Sequence, residues 1–168
     1  MNSRRFLTFA IKITAAQVTT YFLAGAVFYQ LLTKPYYEGS NPIFAVFLRT
    51  PADMGLFAHA VKWFLPAEIL RGILIAAVLY PLYDFLKEWP FLKRFLYVAS
   101  LYLVLGFWGA TVPAPGTLEG MVYMRPFITP EVHLRVQPEI IVQGLGLAFL
   151  IAGAMMEPPR RALTLSIS

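Results

Sequence analysis

Glu68 and Arg71 are the residues of this chain whose types and spacing point most directly to chemistry. Three apart, they share one face of a helix and can pair. They border a long apolar run, so their charges would sit at membrane depth, where ionisable groups are costly and default to functional readings. An unpaired cation there costs upward of about 3 kcal/mol. Pairing with Glu68, pairing with Glu139 across a bundle, or snorkelling to the interface would each relieve Arg71. Glu139 follows Pro138 much as Glu68 follows Pro66-Ala67. A proline with an acid just behind it also reads as a helix start, the carboxylate capping free N–H groups at the positive end of the dipole. Helix caps and a site for an anionic headgroup or carboxylate are therefore both open readings.

Four further groups carry weaker signals. Glu38-Gly39 and Glu119-Gly120 read as turns, with glycine supplying unusual backbone angles, and their repetition keeps Glu38 and Glu119 as ligand-binding candidates. Arg125 belongs with them, in a tract rich in Gly, Pro, Glu and Tyr within an otherwise apolar chain. His59 and His133 each precede a repeated Glu, and two His with two Glu could hold a divalent cation. Their spacing matches no compact metal motif, so metal binding is not the favoured expectation. Gln17 and Gln143 read as buried amides bonding between helices. No phosphate loop, nucleophile elbow or zinc-protease signature occurs, and no cofactor is assigned. The chain lacks cysteine, which excludes disulfides and thiolate chemistry.

These groups need a scaffold, and composition says what kind. Of 168 residues, 58% are apolar and 14% charged, against about a quarter charged in a soluble domain. Uncharged or nearly uncharged runs predict membrane spans at residues 13–32, 65–84, 95–112 and 140–156. The basic start around Arg4-Arg5 resembles a signal flank, but Lys12 interrupts the apolar core, so a retained first span is expected. The runs do not alternate as barrel strands would, which leaves helices. Pro81 is expected to kink or end the second span.

Charge sets the expected orientation. The termini and middle loop hold eight basic residues (Arg4, Arg5, Lys12, Lys87, Lys93, Arg94, Arg160, Arg161) against three acids, while the other two loops hold six of each. Both termini are therefore expected in the cytoplasm of a cell bounded by this plasma, or inner, membrane. The net charge of +5 follows from this distribution, and nucleic acid is not an expected partner. Small residues recur every four positions: Ala16, Thr20 and Ala24, then Gly72 and Ala76, then Ala148 and Ala152. Such stripes let helices approach closely.

The two halves echo each other. Gly25 precedes Glu38 by the interval that separates Gly106 from Glu119; Thr50-Pro51-Ala52-Asp53 matches Thr129-Pro130-Glu131; Pro66-Ala67-Glu68 matches Pro138-Glu139. The expectation is an all-α polytopic membrane protein of one domain, residues 1–168, built as two parallel two-helix repeats, 9–86 and 93–157. A short amphipathic helix within Thr50–Phe64 is expected in the first outer loop. Functionally, the reading is a non-catalytic accessory, assembly or ligand-binding subunit acting through its non-cytoplasmic loops. Its partners would be the bilayer and other membrane subunits or further copies of itself. The alternative is a membrane enzyme or carrier acting on a lipid or small molecule through Glu68, Arg71 and Glu139.

Overall fold

A computed structural model describes residues 3–40 and 42–156; Glu157, Arg160 and Arg161, which enter the charge count, lie outside them. Every regular element among the described residues is helical. Helix α1 (Ser3–Phe28) passes through a π-wound turn at Tyr29–Thr33 into the short α2 (Lys34–Glu38). Helix α3 (Met54–Leu79) bends through a 3-10 turn at Tyr80–Leu82, where Pro81 sits as expected, into α4 (Tyr83–Lys87). The third long element is α5 (Phe91–Ser100), which continues π-wound over Leu101–Trp108. After the small α6 (Leu118–Tyr123) comes α7 (Pro130–Ala154). Among the described residues, four stretches are long and apolar enough to cross a membrane: Ser3–Glu38, Met54–Lys87, Phe91–Trp108 and Pro130–Ala154. This is an all-helical protein of integral-membrane type.

The second and fourth helices begin earlier than their apolar runs. Asp53 caps α3, accepting from the Leu56 N–H at 3.1 Å, while Thr50, the expected cap, is buried behind it. Thr129 holds the cap position of α7 with Pro130 in the first turn, although its side chain makes no capping bond. Residues 54–64 form the first three turns of α3 and are no separate element. Pro66 and Pro138 lie inside helices, so neither opens a span. A proline removes one helical hydrogen bond and bends the helix. Stopping the helix in lipid would strand several backbone groups at several kcal/mol each, so bending is the cheaper outcome.

Successive long helices run antiparallel. Phe6 packs on Tyr80 and Phe22 on Phe64 between α1 and α3, and Phe91 packs on Phe149 between α5 and α7. The main core holds Ile13, Ala76, Leu79, Leu86, Val98, Leu147, Ala148, Ile151 and Met155. The small-residue stripes all face inward. A methyl group added at Gly72 would lie 2.6 Å from Thr14 Cα, so glycine sets how closely α1 and α3 approach. At the end away from the termini, the two long loops meet through a second apolar cluster: Phe44, Ile128 and Val132, with Tyr36 and Tyr37 packed against it. At the terminal end, Arg5 Nη2 meets Asp84 Oδ1 at 2.7 Å and the guanidinium lies over Tyr83.

Candidate functional site

Glu68 lies in the fourth turn of α3, where helical bonds already occupy the backbone N–H groups, so it caps nothing. The same holds for Glu139 inside α7. What satisfies Glu68 comes from elsewhere. Its side chain is 4% exposed, and Gln17 Nε2, from α1, donates to Oε2 at 2.7 Å. Arg71 Nη1 stands 3.1 Å from Oε1 and 3.3 Å from Oε2. A buried carboxylate with two donors, one of them charged, is stable in a low-dielectric bundle; with neither it would not be. The approach at Gly72, one helical turn from Glu68, is what brings Gln17 within reach.

Arg71 differs from its partner. Its side chain is 53% exposed, so a guanidinium with five donors spends only part of them on Glu68. It stands at the edge of a cavity of about 570 Å³. The walls are α3 (Arg71, Leu74, Val78) and the third long element (Val98, Leu101, Tyr102, Phe107), and α7 supplies the floor with Gln143, Leu147 and Ile151. Helix α1 packs closely on both α3 and α7, and α5 packs on α7, but α3 and the third element stand apart with this cavity between them. Its volume falls in the range of small-molecule sites, roughly 300–1,000 Å³. Apolar side chains dominate the lining, and the polar ones gather at the Arg71 end.

Gln143 belongs to that end. It is buried, and its Nε2 donor has no hydrogen-bond partner among the described residues. Tyr102, across the cavity, packs against Gly144, where an added methyl would come 2.7 Å from the ring. The π winding of Leu101–Trp108 places Tyr102 and Phe107 on the cavity wall; irregular turns of this kind often accompany functional sites.

Glu139 lies further toward the loop end. Its Oε1 would touch a methyl placed on Gly25 at 3.8 Å, and it makes no hydrogen bond or ion pair among the described residues. Tyr21, Tyr37 and Tyr102 are near enough to feel its charge, and Tyr21 and Tyr102 also feel Glu68 and Arg71. The two repeated glutamates thus share one polar neighbourhood, though they do not touch.

The remaining candidates are placed otherwise. Glu38 ends α2, accepts from the Tyr29 hydroxyl and lies 4.0 Å from Lys34. Glu119 is in the first turn of α6, with Gly120 behind it held by the Thr117 cap, so this Glu-Gly pair opens a helix where Glu38-Gly39 closes one. Arg125 is exposed beyond α6. His133 is buried, and its Nδ1 accepts the Gly116 N–H at 2.8 Å, which pins the second loop. His59 is exposed beside Trp63. Both lie on long helices, and no cluster of three or more potential metal ligands occurs among the described residues.

Two features were not legible beforehand. The cavity and its Tyr102 wall carry no sequence motif; the interruption of the apolar run by Gly106 was the nearest signal. Arg94, counted with the interfacial charges, is instead 3% exposed, with Nε and Nη1 unpartnered among the described residues. No protein-family model, curated protein or solved structure matches this chain.

Proposed function

We propose that this chain is a non-catalytic membrane protein that binds an amphipathic ligand between its helices, with the polar end of the site toward the loops away from its termini. The observation that carries the reading is Arg71: a cation at membrane depth, paired with buried Glu68, to which Gln17 also donates, and half-exposed at the edge of a mostly apolar cavity. Its guanidinium keeps donors that Glu68 does not use. With the termini cytoplasmic, as the basic excess favours, the Arg71 end of the site points to the outer leaflet. The two loops, joined through Phe44, Ile128 and Val132, cover the end of the bundle away from the termini.

Native mass spectrometry of protein released from mild detergent tests this. Wild type should carry a bound small molecule that the Glu68→Gln/Arg71→Gln double variant loses. A bare wild-type chain, or the same adduct on both proteins, would end the proposal.

A carrier or enzyme remains the second reading, and Glu139 favours it: an unpartnered carboxylate beside three tyrosines can gain and lose a proton during turnover. Proteoliposomes with a pH-sensitive dye inside would reveal such turnover. If the Glu139→Gln variant behaved as wild type in every such preparation, this reading would fall.

The duplication also belongs to the proposal. Helices α3 and α7 each start beside a Thr-Pro-acid segment and carry an interior proline ahead of a glutamate, and both partner elements contain a π-wound stretch. On this reading the cavity arose where one of the two equivalent contacts between the copies, α3 with the third element, opened while the other, α1 with α7, stayed closed. An experimental structure in which 3–87 fails to superpose on 91–154 about an axis along the membrane normal would exclude it.

A further inference from the structure

Resting on the ligand-binding reading, we infer that the cavity ligand is a single-chain amphiphilic anion that enters sideways from the bilayer. Its head is bound by Arg71 and Gln143, and its chain runs down the groove between α3 and the third long element. Three independent features converge on this class.

The first is the polar end. Arg71 presents unused guanidinium donors, and Gln143 presents a buried, unpartnered amide donor, at one end of the same cavity. Both are donors, so the complementary head is an acceptor. Beside a guanidinium the acceptor of choice is an anion that it can grip with paired hydrogen bonds. An apolar head would leave the Gln143 donor unsatisfied, at the cost that buried polar groups carry.

The second is the groove itself. From Arg71 to Leu79 the lining runs eight residues along α3, about 12 Å at the helical rise. Beyond Arg71 the α3 wall is Leu74, Ile75, Val78 and Leu79, and the opposite wall and floor are Val98, Leu101, Leu147 and Ile151. Leu74 and Val78 at the lip are exposed, whereas Leu147 and Ile151 at the floor are buried. The groove is therefore open along its length to whatever surrounds α3. In a bilayer that is hydrocarbon, and a chain can slide in without crossing the capped loop end.

The third is depth. Trp63, exposed and beside Lys62, marks the interface level on α3. Arg71 is eight residues further on, about 12 Å deeper along the helix. A compact head on one chain can be drawn to that depth by the guanidinium. A diacyl phospholipid would have to bring its glycerol and second chain with it into a groove walled on two sides.

The test uses the full chain in nanodiscs, with the fluorescent polyene cis-parinaric acid as probe. Wild type should bind the probe, palmitate should displace it, and hexadecanol, of equal chain but no charge, should not. Glu68→Gln/Arg71→Gln removes the head contact without stranding a buried charge, and should weaken binding at least about tenfold. Val78→Trp fills the groove and should abolish binding with the polar end intact. Displacement by palmitate but not by lysophosphatidate assigns a carboxylate head. Stronger displacement by lysophosphatidate assigns a phosphate, and either outcome upholds the anion. Equal competition by hexadecanol, or probe binding unchanged in both variants, overturns the inference. If wild type retains a native adduct yet ignores the probe, the anion assignment fails alone; if it neither retains an adduct nor binds the probe, the ligand-binding reading fails with it.

Discussion

Gly72→Ala should cost far more stability than a helix alanine normally does, because one methyl group disturbs both the packing and the polar site. The added carbon would lie 2.6 Å from Thr14 Cα and 3.0 Å from Thr14 Oγ1. Carbon–carbon contacts settle near 3.5–4.0 Å, so α1 and α3 must part by about 1 Å. One turn away, the 2.7 Å bond from Gln17 to Glu68 would stretch to about 3.7 Å, beyond hydrogen-bonding range. Overpacking contributes about 1–3 kcal/mol. Average interhelical bonds in membranes are worth only about 0.6 kcal/mol. Here, however, the acceptor is a charged group with 4% exposure, for which about 1.5–3 kcal/mol applies. Replacing glycine by alanine in a helix returns about 1 kcal/mol. The net is a loss of roughly 3 kcal/mol, within bounds of about 1.5–5 from the same figures. The measurement is SDS-driven unfolding in mixed micelles, followed by tryptophan fluorescence. Gly153→Ala, where nothing lies within 4 Å of the new methyl, is the control and should be neutral or mildly stabilising. A Gly72→Ala variant within about 0.5 kcal/mol of that control would refute both the close approach and its role in placing Gln17.

Three other variants probe the remaining structure. Arg94→Met replaces a buried arginine, whose Nε and Nη1 have no partner among the described residues, with an apolar chain of similar length and should stabilise the fold by about 1–4 kcal/mol; a lower SDS midpoint would show that the charge is compensated after all. His133→Phe strands the Gly116 N–H now bonded at 2.8 Å, at a cost of about 1–3 kcal/mol, and hydrogen exchange at the Gly116 amide should accelerate; unchanged protection would mean the loop is held by other contacts. In Gly120→Ala the new methyl would collide with the Ala114 carbonyl oxygen, so the turn before α6 must rebuild. Chymotrypsin should then cut faster after exposed Tyr123, and an unaltered cleavage rate would count against the tight turn.

Much of the architecture follows from local composition. Apolar runs long enough to cross a bilayer specify four helices without reference to tertiary contacts, because lipid leaves an exposed backbone no other partner. The pairing of Glu68 with Arg71 was equally legible, since three-residue spacing on a helix determines it. The small-residue stripes announced which faces would be buried. Where the helices begin was less legible: Pro66 and Pro138 look like starts from local signals, and only the penalty for breaking a helix in lipid carries the chain through them. The Glu-Gly motifs show the same limit, since one pair ends a helix and the other begins one.

The helical membrane class, the buried stripes and the Glu68–Arg71 ion pair all depend on residues near one another in the chain, and each could be read there. Only the tertiary structure decided that Gln17 completes the Glu68 site from 51 residues away, that Arg94 is buried, and that α3 stands off from the third long element to leave a groove. These depend on how rigid helices share their surfaces. α1 has small residues facing two neighbours and can hold both closely, but the same helix cannot also draw α3 against the third element. The opening left between them has no residue of its own to signal it.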